Sequence, residues 1–144
     1  VYYDGRYAIT PAQARRFSRV RWITIAGGAA AAAHTGAIDY ENGNLAYEGS
    51  QLADWATARK AMNCRARVYC SRSDLERAHP LVGHMGNVVW WIATLDGDQR
   101  SEADMLANIA AETGIHLAPG TLWAQQWNGG VDAPFDESVL FGTW

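Results

Sequence analysis

The sequence predicts an α/β fold built on a parallel sheet, and three observations carry that prediction. Runs that are apolar on both faces alternate with helical patterns, as in a parallel sheet covered by helices. Several of the helical patterns open on a clear capping signal. The acidic and aromatic residues that suggest chemistry fall mostly where strands end.

Val1-Tyr2-Tyr3 is a short apolar strand that ends at Asp4-Gly5. Thr10-Pro11-Ala12-Gln13 starts a helix: Thr is the N-cap, Pro takes the first helical position, and Gln completes a capping box. Ala14 and Phe17 face inward. Residues 21–26, RWITIA, form the second strand. Residues 27–36 are an Ala/Gly segment that fits either a loop or one helical turn. Ala37 to Glu41 is the third strand, closed by the Asn42-Gly43 turn signal.

Ser50 caps a helix with Leu52, Trp55, Ala56 and Met62 at helical spacing. A strand follows at 67–70. Ser73-Asp74-Leu75-Glu76 reads as a capping box for a short helix that stops before Pro80. Val88 to Leu95 is the most strand-like run, closed by Asp96-Gly97. Ser101 opens a helix with Leu106, Ile109 and Ala110 inward, stopped by Gly114. Leu122 to Trp127 is a further strand, ended by Asn128-Gly129-Gly130. A last strand or tail runs from Ser138 to Trp144. Right-handed crossovers turn such an order into a barrel or a doubly wound sheet.

Composition narrows the function classes. The 144 residues suffice for one domain with a sizeable core, and 49% are hydrophobic. The net charge of -3, without a Lys/Arg cluster, argues against nucleic-acid binding. The apolar run from Trp22 to Ala33 is too short to span a bilayer, so membrane insertion is not expected. No Gly-rich phosphate fingerprint follows the first strand, and no cofactor motif is present. His34, His79, His84 and His116 lack metal-ligand spacing, so no metal is expected. Cys64 and Cys70, if on one strand, lie about 20 Å apart and cannot pair. Cys70 reads as inert packing on a buried strand. The chain begins with Val1, as expected for a piece of a longer or processed polypeptide. Seven tryptophans suit either a core of large rings or a groove that stacks on sugars.

Asp39 and Glu41 stand out. Side chains two apart on a strand share a face, which places these two about 6–7 Å apart. Neighbouring carboxylates raise one another's pKa, so one stays protonated near neutral pH. That is a common basis for acid/base chemistry. Each signal also has a plainer reading: a solvated strand end for this pair, an Asp-Gly turn for Asp4 and Asp96, and a helix cap for Asp136. Trp55 is core. Trp90 and Trp91 face opposite sides of their strand, so at least one is packing. Ser71 and Ser73 are best explained as helix caps.

Taken in order, Asp4, "IDYENGN", "RVYCSRSDL", "VVWWIATLDG", "LWAQQWNGG" and "FDESVL" resemble the lysozyme-like glycoside hydrolases of family 25. The likeness is closer to a short branch of hydrolase-like barrels from actinobacteria and their phages. It covers nearly the whole chain. It implies a parallel (β/α) barrel of TIM type over a single hydrolase-like domain, 1–144. It also implies an acidic cluster of Asp4, Asp39, Glu41 and Asp136, with Glu41 as general acid and the aspartates assisting. Tyr69, Trp91, Gln126 and Trp127 would line the sugar groove.

The implied substrate is the β-1,4 link of peptidoglycan or another bacterial surface glycan. The implied setting is extracellular or virion-associated, at the cell wall. The chain is short for a complete barrel of about 250 residues, so the barrel is expected to be shortened or incomplete. The Ala/Gly segment stands where the enzymes carry a strand–helix unit of the groove wall, and His34 is a poor substitute for it. The alternative is a non-catalytic glycan-binding or structural module of a phage virion, contacting other virion proteins.

Overall fold

The structure, a computed structural model, describes residues 1–5, 8–16, 21–44, 46, 50–128 and 137–142. The elements are α1 (Pro11–Ala14), β1 (Ile23–Thr24), α2 (Gly28–Ala32), β2 (Ala37–Asp39), α3 (Gln51–Ala61) and β3 (Ala66–Ser71). There follow α4 (Arg72–Val82), β4 (Val88–Ala93), α5 (Glu102–Thr113), β5 (Leu122–Asn128) and β6 (Glu137–Leu140). The fold is mixed α/β. One sheet holds the six strands in sequence order; β1 to β5 are parallel and β6 is antiparallel to β5. Only eight residues separate β5 from β6. That is too few for a parallel crossover, which needs about a dozen or more, and enough for an antiparallel return.

Residues along the parallel strands are mostly buried on both faces, and they sort into two clusters. Ile38, Val68, Cys70, Trp90, Ile92 and Leu122 join Leu52, Trp55, Leu75, Met105 and Ile109 of the helices in the main core. Val89, Trp91, Trp123 and Ala124 form a smaller cluster on the opposite face. The site lies on that second face. Strands placed in sequence order with crossovers of one hand put their helices on one side, which leaves the other face to curl around a space.

The capping box of α1 forms as predicted. Thr10 N–H donates to Gln13 Oε1 at 2.7 Å, and Gln13 N–H donates to Thr10 Oγ1 at 3.2 Å. Phe17 lies outside the described residues. The Val1–Tyr3 run is not a full strand. It is held along β1 by Tyr3 N–H to the Ile23 carbonyl at 2.7 Å and Ile23 N–H to the Val1 carbonyl at 2.9 Å. The Ala/Gly segment resolves as α2, a short helix that forms the crossover between β1 and β2. Its buried Ala31 and Ala32 have side chains small enough to let it sit close against the neighbouring α3. Trp55 Nε1 donates to Thr35 Oγ1 at 3.0 Å and ties α3 to the end of that crossover.

Other expectations are corrected. Helix α4 starts earlier and ends later than the sequence suggested. Its N-cap is Ser71, whose Oγ accepts from Asp74 N–H at 3.0 Å. The helix runs through Pro80 to Val82. Proline removes one hydrogen bond there, within three residues of the helix end, while Leu75, Ala78 and Val82 are buried and hold the helix against the sheet. Ser50 precedes α3 but makes no capping bond to the backbone; its hydroxyl donates to Asp54 Oδ2 instead. Met62 is exposed just past the end of α3. In α5 the fully buried residues are Met105 and Ile109, with Leu106 packed partly against the core. Gly114 ends that helix with φ 71°, in the left-handed region that favours glycine.

Candidate functional site

Register sets the site. Asp39 pairs with Tyr69, Tyr69 with Trp91, and Trp91 with Ala124, so these residues form one row across four strands. The next row toward the strand ends is Ser71, Ala93, Gln126 and Ser138. Between Trp90 and Trp91 the β4–β5 register shifts: Trp90 faces Leu122 but Trp91 faces Ala124. Trp123 is therefore an extra residue on β5, a β-bulge. The bulge turns Trp123 toward the small cluster and still leaves Gln126 on that same face.

These rows wall a cavity of about 420 Å³, lined by Tyr2, Ile23, Asp39, Tyr69, Trp91, Trp123, Gln126, Ser138 and Leu140. Residues from both edges of the sheet, beside β1 and on β6, meet around it, so the sheet curls. The rings are packed edge to face. Tyr69 and Trp91 lie 5.1 Å apart, and Trp91 and Trp123 lie 5.4 Å apart. Trp91 Nε1 donates to Ser138 Oγ at 3.2 Å, which fixes the indole against β6. The Arg67 guanidinium sits 5.3 Å over the Trp123 ring. A second cavity of about 610 Å³ adjoins, lined by Tyr2, Ile25, Asp39, Glu41, Asn42, Gly43 and Asn44. Tyr2 and Asp39 border both.

Asp39 is the chemically distinctive residue. It is only 3% exposed, and Tyr2 donates its phenol hydrogen to Asp39 Oδ2 at 2.8 Å. The other oxygen, Oδ1, is buried without a hydrogen-bond partner among the described residues. Burial pushes the carboxyl up from 3.8 to about 6; the Tyr2 and Asn44 groups oppose the rise, and the Asp74 charge adds to it. A carboxylic acid titrating there exchanges protons near neutral pH. Glu41 lies just past β2 rather than on it. It stands at the start of a turn in which Asn44 N–H donates to the Glu41 carbonyl at 3.0 Å and Gly43 has φ 95°. Glu41 and Asp39 share the second cavity.

The structure brings together Asp39, Tyr69, Trp91 and Gln126 around the first cavity, and Glu41 with Asp39 around the second. It places Asp4 elsewhere. One Asp4 oxygen accepts from the Thr24 hydroxyl and the other from Ile25 N–H at 2.7 Å, so this carboxylate clasps the end of β1 and borders neither cavity. Trp127 is half-buried and also lies outside both cavities. Asp136 lies outside the described residues. His34 stacks on Tyr3 at 5.4 Å, in a separate cleft with Trp22.

Tyr2, Trp123 and Ser138 are cavity residues that sequence reasoning missed. Strict alternation from Asp4 would have raised Tyr2; no local signal marks the bulge that admits Trp123. Gln125 faces the helices. It donates to Thr94 Oγ1 and the Asp98 carbonyl, and it accepts from Arg100 N–H, holding the loop after β4. Asp96 serves that same loop. It pairs with Arg100 at 2.9 Å, and this bond holds its carboxyl down at about 2. Cys64 and Cys70 are both free thiols, and burial raises the Cys70 thiol well above its ordinary range. Among the described residues no group of His, Cys, Asp and Glu could hold a metal ion, and no helix is long and apolar enough to cross a membrane.

Comparison with protein-family models, with curated proteins and with solved structures found no match. Fold and site together define the class: a mixed α/β protein whose curled parallel sheet holds an aromatic cavity bordered by a buried carboxyl group.

Proposed function

We propose that the chain is a cell-wall glycan hydrolase of muramidase type, acting on a β-1,4 glycosidic bond on a shortened (β/α) barrel. The observation that carries this reading is Asp39: a buried carboxyl with one unpartnered oxygen, beside Tyr69 and Trp91 in a cavity large enough for a sugar ring. Aromatic rings offer apolar faces to the C–H faces of pyranoses, while Gln126 and Ser138 offer hydrogen bonds to hydroxyls. Glycosidic cleavage needs a proton donor of raised pKa and a second carboxylate. Asp39 fits the first role by its environment, and Glu41, across the shared cavity, supplies the second. This reverses the assignment that the family resemblance implies, in which Glu41 is the acid. The partner is then peptidoglycan or a similar surface glycan, and the setting the bacterial cell wall, outside the cell or on a virion.

One observation favours a second reading, a non-catalytic glycan-binding module of a virion. Both oxygens of Asp4 are already bound by β1, so the cluster implied by the resemblance loses a member.

The test is release of reducing ends from purified peptidoglycan. The hydrolase reading expects turnover by the wild type and a loss of about 10²-fold or more in Asp39→Asn and in Glu41→Gln. A folded wild type that retains glycan, loses retention on Trp91→Ala and releases no ends supports the module reading and sinks the hydrolase.

A further inference from the structure

We infer that Tyr2 is a positioning residue for Asp39: its hydroxyl holds Oδ2 as an acceptor and fixes the carboxyl at the border of the two cavities. The inference rests on the reading of Asp39 as the proton-transfer group. Three observations support it.

The bond is well made, with the phenol oxygen 2.8 Å from Oδ2. Tyr2 is itself fixed. Its flanking residues are pinned to β1 through Val1 and Tyr3, and its carbonyl accepts from Ile9 N–H at 3.3 Å. The Tyr2–Asp39 pair also forms the border between the two cavities, since both residues line both spaces. A glycan lying across the two would pass over this pair.

The two carboxylate oxygens are thereby made unequal. A phenol is a donor of pKa about 10 and keeps its proton near neutral pH. Oδ2 therefore stays an acceptor, and a proton taken up by Asp39 goes to Oδ1. That atom is buried and has no hydrogen-bond partner among the described residues. The remaining titratable neighbours act from a distance. Asp74 at the start of α4 raises the carboxyl, Glu41 stands on the turn after β2, and Tyr69 lies beside Asp39 on β3. The Asn44 amide donates to the Asp39 backbone carbonyl at 3.3 Å and also favours the charged carboxylate.

The experiment is a substrate-free carbon-13 NMR titration that follows Asp39 Cγ and Tyr2 Cζ. In the wild type the two resonances should shift together through one transition near pH 6. In Tyr2→Phe, which deletes the bond and keeps the ring, the Asp39 midpoint should rise by about one pH unit. The alkaline arm of the turnover profile, where the acid loses its proton, should move up with it. A Tyr2 resonance that stays silent through the Asp39 transition overturns the proposal without any variant, and so does an unmoved midpoint in a folded Tyr2→Phe. Because the titration needs no substrate, its outcome is separate from that of the hydrolase reading. A shared transition in a protein that never turns over glycan leaves the pair intact and removes only the enzyme.

Discussion

Asp39→Asn should make the protein more stable at pH 8 and change little at pH 4. Asp39 is almost fully buried and its carboxyl titrates at about 6 instead of 3.8. The folded state therefore holds this proton more tightly than the unfolded chain does. Between about pH 4 and pH 6 the folded state binds more protons, so stability falls as pH rises through that window. Above it the full cost of the buried charge is present, about 3 kcal/mol for a displacement of this size. The amide removes the charge and can still accept from Tyr2. Its NH₂ group then lacks an acceptor, which reduces the gain to about 1–3 kcal/mol. For a chain of this length that is about 3–10 °C in Tm. The assay is calorimetry of both proteins from pH 4 to pH 8. At the acid end the variant should match the wild type or fall slightly below it, by the cost of the unpaired amide, and its advantage should grow through pH 6. Parallel curves, or a wild type that gains on the variant as pH rises, would refute the burial argument.

Two further outcomes concern the scaffold. Asp96 has the opposite sign: its carboxyl is held at about 2 by Arg100, so its contribution is present above pH 4 and lost as pH falls through 2. Asp96→Asn should cost up to about 1 kcal/mol in urea unfolding at pH 6 and nothing at pH 2, and the cost should shrink in high salt. Gly27 sits at φ 70°, ψ -148°, a conformation that is essentially glycine-only, with the Gln51 carbonyl oxygen 3.1 Å from where a Cβ would be. Gly27→Ala should destabilise by about 1–3 kcal/mol in the same measurement.

The α/β class was legible because its signals are local. Strand runs such as VVWWIA need both faces covered, and the Thr10 and Ser101 caps show in three or four letters. The turn after β2 and the stop at Gly114 were equally plain. What stayed open or failed depended on distant residues. The Ala-rich stretch has weak periodicity, and only packing against α3 decides that it is a helix. Pro80 is a breaker in isolation, yet α4 continues because Leu75 and Val82 are held by the core. In the site, the resemblance named Tyr69, Trp91, Gln126 and Trp127 together, and strand register brings Tyr69 and Trp91 level with Asp39. Gln126 and Trp127 part, because neighbours on a strand point to opposite sides. The bulge at Trp123 reset that pattern from within a pairing that no single strand records. The place of Asp4 was hidden for a related reason. Its sequence neighbours reveal the turn at Gly5, but not the Thr24 hydroxyl and Ile25 N–H that use up its carboxylate.

The curl of the sheet has a consequence for how the protein assembles. Strands β2 to β5 each pair with the strand before them, so the sheet grows by neighbours from short crossovers. The cavity does not. Its walls come from residues 2 and 23 at one edge and 138 and 140 at the other. Water leaves Asp39 fully only when those two distant parts of the chain close over it. The electrostatic cost of that carboxylate is therefore expected to fall late in folding. Alkaline conditions should then hasten unfolding more than they slow folding, which stopped-flow rates at pH 5 and pH 8 would check.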